Sequence, residues 1–410
     1  MLKFILLHHL EVLIHQGISG IKLEYKDVVL HYSFAKATAA ETLCLTNQTQ
    51  IDEYDTFNIG IMSNKIISSR RQFLQHLGLV SSTFVLQIPF FSSCKTTKKI
   101  SNESASLVFG IMADVHADLI PDKMERLEKF IHKASSKNVD FIVQLGDFCF
   151  PKKENLDFLH LWNQFKKPKY HLLGNHDMDV SSKTETMGFW EMPKAYYSFD
   201  EKGIHFVVLD PNYLYHDHQY KDYDTANFYV DDNWRTYVNP KQIAWLIDDL
   251  SATKLPTIIL SHQSLINPFG GIKNRIQIQE ILEKENLRVG YQKIMACLNG
   301  HDHIDFHRTI NGIHYIEINS MSYQWLGEKY SNKTRYPADF YKKYQHLDKL
   351  GSYKDSLFAF MEIDLKNGQL KIEGVQSEWI APSPDDLNIP KQVYGMQNSA
   401  NISDRILNLE

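Results

Sequence analysis

Cysteine is scarce in this chain, with four residues, Cys44, Cys94, Cys149 and Cys297, among 410. Their irregular spacing fits neither a disulfide framework nor a Cys-rich zinc site. Cys149 and Cys297 sit at the ends of apolar runs and read as small core residues. An excess of charge is also missing. Against 44 Lys and Arg stand 49 Asp and Glu, a net charge of −5, which argues against a nucleic acid polymer as partner but leaves room for a small nucleotide. No internal repeat or low-complexity tract is present. With 43% hydrophobic and 23% charged residues, the composition is that of a folded protein, and the length suits one large α/β domain with accessory segments. Long apolar runs are few. The run from Phe73 to Phe91 is broken by Gln75, His76, Gln87 and Pro89, so a permanent membrane span is the poorer fit.

That run follows a paired arginine. Ser69-Arg70-Arg71-Gln72-Phe73-Leu74 resembles a twin-arginine export signal, and Phe91-Ser92-Ser93-Cys94 resembles a lipobox, with Phe91 in place of the usual Leu or Val. The resemblance implies an exported protein, periplasmic or held by a lipid on Cys94 at the outer side of the cytoplasmic membrane. Met62-Ser63-Asn64-Lys65 supplies a positively charged start to such a signal. Translation is therefore expected to begin at Met62. Residues 1–61, which show no sustained helical or strand period, then read as a non-native or disordered extension. The expected order is signal over 62–94, linker over 95–104, one domain over 105–380 and a C-terminal tail over 381–410.

Within that domain, apolar runs of strand length alternate with amphipathic stretches, an α/β rhythm. Leu107–Ala113, Phe141–Leu145, Tyr170–Leu173, Ile204–Leu209, Thr257–Leu260 and Lys293–Leu298 read as buried strands. Pro121–Lys137 and Glu154–Phe165 carry apolar residues at helical spacing. Asn239-Pro240 reads as an N-cap followed by the first residue of another helix. Later, Ile313–Ile318 and Leu357–Leu365 read as strands, and Asn367-Gly368 as a two-residue hairpin turn into Leu370–Val375. Pro211–Asn239 and Asn319–Asp355 resist assignment, and long irregular loops of this kind often bind ligands.

The chemistry-bearing residues cluster at strand ends. Asp114-Val115-His116 follows the first strand, Gly146-Asp147 the second, Gly174-Asn175-His176-Asp177 the third, Ser261-His262 a later one and Gly300-His301-Asp302-His303 the last. The carboxyl edge of an open α/β sheet is where ligands gather, so these five segments are expected to converge. Asp, His, Asp, Asn, His, His and His mix hard oxygens with imidazole nitrogens, enough donors for two ions that share a carboxylate. Two ions about 3.5–4 Å apart suit in-line displacement at phosphorus. His262 has the weakest local signal, and His205 is an alternative.

In order and spacing these residues resemble the calcineurin-like metallophosphoesterase pattern of DxH, GD, GNHD or GNHE, H and GHxH, over Leu107 to His303. The resemblance implies a four-layer αββα sandwich, two mixed β-sheets flanked by helices. It implies two divalent metal ions, Mn, Fe, Zn or Co, one held by Asp114, His116, Asp147 and His303, the other by Asp147, Asn175, His262 and His301. His176 is implied to contact the phosphoryl oxygen or protonate the leaving group, with Asp177 fixing its tautomer. Asp302 either orients a neighbouring histidine or faces solvent.

The substrate implied is a small phosphate ester. A phosphodiesterase or nucleotide pyrophosphatase comes first, a phosphomonoesterase next, and a non-catalytic scaffold of the same fold is the alternative of another class. Tyr196–Asp210 is similar, more weakly, to manganese-dependent ADP-ribose/CDP-alcohol diphosphatases. The purple acid phosphatase branch is disfavoured, since it places a metal-binding Tyr shortly after the GD aspartate, where this chain has Phe148, Cys149 and Phe150. Tyr213, Tyr215, His216, His218, Tyr220, Tyr323, Trp325 and Arg335 are candidates for a substrate wall. Asn274, Arg275, His307 and Arg308 read as surface or supporting residues.

Overall fold

The computed structural model describes residues 21–25, 28–32, 106–393 and 396–409. The chain divides into two units, Met1–Lys99 and Ile100–Glu410. In the first, Ile21–Tyr25 pairs antiparallel with Val28–Tyr32, so a short hairpin stands where the sequence showed no sustained strand period. The expected signal, lipobox and linker lie outside the described residues.

The second unit holds two six-stranded sheets. The first is built from β1 (Leu107–Met112), β2 (Phe141–Gln144), β3 (Lys169–His171), β10 (Ala359–Asp364), β11 (Gln369–Gly374) and β12 (Arg405–Asn408), in the order β12-β11-β10-β1-β2-β3. The second comprises β4 (Tyr197–Glu201), β5 (Ile204–Val208), β6 (Thr257–Leu260), β7 (Ile294–Asn299), β8 (Phe306–Ile310) and β9 (Ile313–Glu317), in the order β8-β9-β7-β6-β5-β4. Both are mixed. Strand β1 runs parallel to β2 but antiparallel to β10, and β6 runs parallel to β5 and β7 while β4 and β8 close the edges antiparallel.

Period-two alternation explains the layering. Leu107, Phe109 and Ile111 of β1 face the second sheet and join Phe141, Val143, Phe206, Val208, Ile258, Leu260 and Leu298 in the central core. The opposite face packs on helices α1 (Lys123–Ser136) and α2 (Leu156–Trp162) through Met112, Leu127, Phe130, Phe158 and Trp162. The outer face of the second sheet is covered by α4 (Pro240–Ala252) and α5 (Arg275–Val289), which follow the short α3 (Lys183–Phe189). These four layers are the expected αββα sandwich. Asn239 caps α4 as its sequence predicts, its side chain accepting from the Gln242 N–H at 2.8 Å, with Pro240 as the first helical residue.

Two expectations are corrected. The C-terminal segment is no mere tail, since β12 pairs with β11 and buries Leu409 against the central core. The turn before β11 spans four residues, because Asp364 pairs with Gln369. The Asp364 carboxylate accepts from the Asn367 backbone and side chain, and only Gly368 takes a positive φ, 61°. A type I′ turn needs positive φ at both central residues, which Asn367 does not supply.

Candidate dinuclear metal centre

All five predicted segments leave the carboxyl ends of β1, β2, β3, β6 and β7 and meet at one place. The backbone conformation shows how tightly. Asp114, His116, Asp147, His301 and His303 all adopt left-handed φ, 53°, 48°, 53°, 69° and 52°. Each such residue costs about 1–3 kcal/mol and persists only where its surroundings hold it. Backbone bonds supply the hold: Asp114 N–H donates to Gly146 O, His116 N–H to Asp147 O, and the Ser320 and Ser322 hydroxyls donate to Asp114 O and Val115 O. Gly174 is needed because the loops touch. A Cβ there would collide with the Asp147 carboxylate and backbone nitrogen. Gly174→Ala is therefore expected to cost about 1–3 kcal/mol through overpacking and to loosen the site, which thermal melting and metal titration of the variant would read.

The side chains form two groups, Asp114, His116 and His303, and Asp147, His262 and His301. Asp114 Oδ1 is buried without a hydrogen-bond partner, 3.3, 3.8 and 3.9 Å from Nε2 of His303, His116 and His262. Asp147 Oδ2 lies 3.2 Å from His262 Nε2 and 3.5 Å from His116 Nε2, between the two groups. Nδ1 of His262 faces the Leu145 carbonyl and Nδ1 of His303 the Tyr323 carbonyl, both at 2.8 Å. Those carbonyls take the ring hydrogens and leave both Nε2 lone pairs facing inward, the arrangement metal-binding histidines use.

Electrostatics agrees. Burial holds His116 and His301 well below the ordinary imidazole range, so both present neutral rings. For His262 burial is overcome by Asp147 and then Asp114, which raise it to about 10, so without a cation Nε2 carries a proton toward Asp147 that it would give up when a cation takes its place. Asp147 stays ionised: burial alone would raise it, but His262, His176 and His116 hold it well below the carboxylate range. Two buried carboxylates, one with an orphaned oxygen, amid converging lone pairs make a cradle that fits divalent cations.

His176 belongs to neither group. Its N–H donates to Asp147 Oδ1 at 2.8 Å, and its Nδ1 meets Asp179 Oδ2 at 2.9 Å. Burial would lower it, but Asp147 and Asp179 outweigh that and raise it to about 9. Asp177, expected to orient this ring, does something else. Both its oxygens accept backbone N–H bonds, from Asp147, Phe148 and Gly174, clamping the loop after β2 to the loop after β3. Asn175 accepts a 3.3 Å bond from Gln263, which also donates to Asn212.

Other candidates are placed elsewhere. His205 uses both ring nitrogens on Asp200 and Asp249, at 2.6 and 2.8 Å. Asp302 is half-buried and makes no hydrogen bond to a histidine; it accepts from Asn267, and burial raises its carboxyl to about 6. Arg335 is buried and donates to Pro382 O. Tyr213 lies 3.7 Å under the Lys183 ammonium, Tyr215 stacks on Tyr220, and His216 packs on Trp234. His218 and Trp325 are exposed. Asn274 ties to Val238, Arg275 to Ile272 O and His307 to His314. Tyr323 does reach the centre, its ring 5.2 Å from His116 and 5.0 Å from His303. Asp179, Tyr229 and Gln263 were not singled out from the sequence. An acid three residues after His176 was the one available sign, for Asp179.

A family model described as calcineurin-like phosphoesterase matches residues 107–305. This segment, just under half of the chain, is similar to the calcineurin-like phosphoesterases. The protein is a phosphoric ester hydrolase. A manganese-dependent ADP-ribose/CDP-alcohol diphosphatase from Arabidopsis thaliana is 25% identical over 226 residues, 43% of this chain and 70% of its own. Among solved structures, a dimetal phosphatase from Danio rerio is 15% identical, covering 67% of this chain and 98% of that one, with a TM-score of 0.47. GAP50, the anchor in the inner membrane complex of Plasmodium, is 15% identical, covering 74% and 89%, with a TM-score of 0.42.

Proposed function

We propose that this protein hydrolyses a phosphodiester or a nucleotide diphosphate at a centre that would hold two divalent cations, with Asp147 available to both. Asp114, His116 and His303 complete one site, and Asn175, His262 and His301 the other. The position of Asp147 Oδ2 between His116 and His262 is the observation that carries this reading. Cations bound there would make a water nucleophilic near neutral pH and offset charge on the phosphoryl oxygens. The protein's own groups do the rest. The Leu145 and Tyr323 carbonyls aim His262 and His303, the Asp177 clamp holds the Asp147 and Asn175 loops in register, and His176 supplies a proton to the leaving oxygen.

The diphosphatase likeness supports the diester and diphosphate side over monoesters. The test is hydrolysis of bis-p-nitrophenyl phosphate against p-nitrophenyl phosphate by manganese-supplemented protein. A diester preference is expected, and a chelator should abolish it; a monoester preference would make the protein a phosphatase. Export and a lipid on Cys94 belong to the same proposal, supported by Arg70, Arg71 and the segment to Cys94.

A further inference from the structure

His176 stands on a single 3-10 turn, His176–Met178, too short to fix a ring by itself. Its Nδ1 is held from two sides, by Asp179 Oδ2 at 2.9 Å and by the Tyr229 hydroxyl at 3.3 Å. Asp179 reaches it from three residues along the chain, Tyr229 from 53. The Asp179 side chain is 19% exposed, and its other oxygen, Oδ1, is buried without a hydrogen-bond partner. A carboxylate half taken out of water and aimed at one imidazole nitrogen suits holding a charged ring better than packing. Asp177 cannot share the task, since both its oxygens are occupied by backbone N–H groups. The ring is further boxed by Phe228 and His116, with centroids 6.0 and 5.3 Å away.

We propose that Asp179 is the positioning residue for proton delivery: it anchors His176 through Nδ1, so that Nε2–H is the ring donor offered to the leaving ester oxygen, while Tyr229 braces the pair. The proposal rests on the phosphoesterase reading. In the step, a hydroxide oxygen forms its bond to phosphorus and the bond from phosphorus to the ester oxygen breaks. The electron pair of that bond stays on the leaving oxygen, which takes the Nε2 proton. His176 ends neutral, keeping Nδ1–H on Asp179. No oxidant or further reactant is required.

The leaving group provides the test. A p-nitrophenolate departs readily without a proton, whereas a phenolate depends more on one. Wild type, Asp179→Asn and Tyr229→Phe would be compared on bis-p-nitrophenyl phosphate and diphenyl phosphate, with metal content measured alongside. Asp179→Asn is expected to lower kcat for the diphenyl ester by roughly 10–100-fold, with KM and metal content unchanged, and to lower it much less for the nitrophenyl ester. Added to His176→Ala it should cost nothing more, because both changes remove one function. Tyr229→Phe, a change at an exposed side chain that leaves the fold intact, should show the same bias in smaller measure. Equal losses on both esters, or additivity with His176→Ala, overturns the proposal. Wild type inert on both esters with metal supplied overturns the phosphoesterase reading itself, and an active wild type with unbiased variants overturns this proposal alone.

Discussion

Asp147→Asn is expected to leave a folded protein that binds no metal pair and hydrolyses nothing measurable. The carboxylate is buried, its Oδ2 faces a histidine of each group and its Oδ1 receives the His176 N–H. An amide of the same shape keeps the packing but removes the negative charge that lies between the two groups. The loss should exceed the roughly 10–100-fold that follows removal of an outer partner of a ligand. Stability separates this from simple unfolding. In metal-free protein the Asp147 charge is net stabilising, since His262, His176 and His116 hold its carboxyl well below the carboxylate range. The metal-free variant should therefore stay folded but melt somewhat below metal-free wild type. Manganese should raise the melting temperature of wild type, by the linkage between binding and folding, and leave the variant where it was. A variant that still shows the metal-dependent rise would show that Asp147 does not bridge.

His176→Ala should give the opposite pattern. The ring lies outside both metal groups, so the metal-dependent rise in melting temperature should persist. Turnover should fall by about 10²–10⁴, the range lost with a general acid. Measuring metal content and kcat on the same preparation decides it: a variant that loses its metal would make His176 a ligand, and one that keeps full turnover would remove it from the reaction.

The misses share a cause. Asp179 touches His176 across one turn, and Asp177, nearer in sequence, was the natural choice; which carboxylate faces the ring depended on the backbone N–H groups of Asp147, Phe148 and Gly174, two of which arrive from another strand end. His205 competed with His262 because each lies in or after a buried strand. Only the placement of Asp200 and Asp249 shows His205 fully engaged. Arg335 looked like a phosphate binder and instead joins its loop to Pro382, a partner 47 residues away. Tyr229 and Tyr323 come from the two segments that resisted assignment. Such segments lack hydrophobic periodicity because their order comes from partners elsewhere in the chain.

By itself the sequence determined the local things: which runs become strands, where α4 begins at Asn239-Pro240, and which donors stand at the strand ends. Those follow from side-chain periodicity, capping and the glycines that let a chain turn sharply, all set within a few residues. Only the tertiary structure decided which donors share an ion-sized space, which carboxylate holds His176 and that the C-terminal segment completes a sheet. Those depend on contacts between residues far apart in sequence, whose free energy exists only once the two sheets have packed face to face.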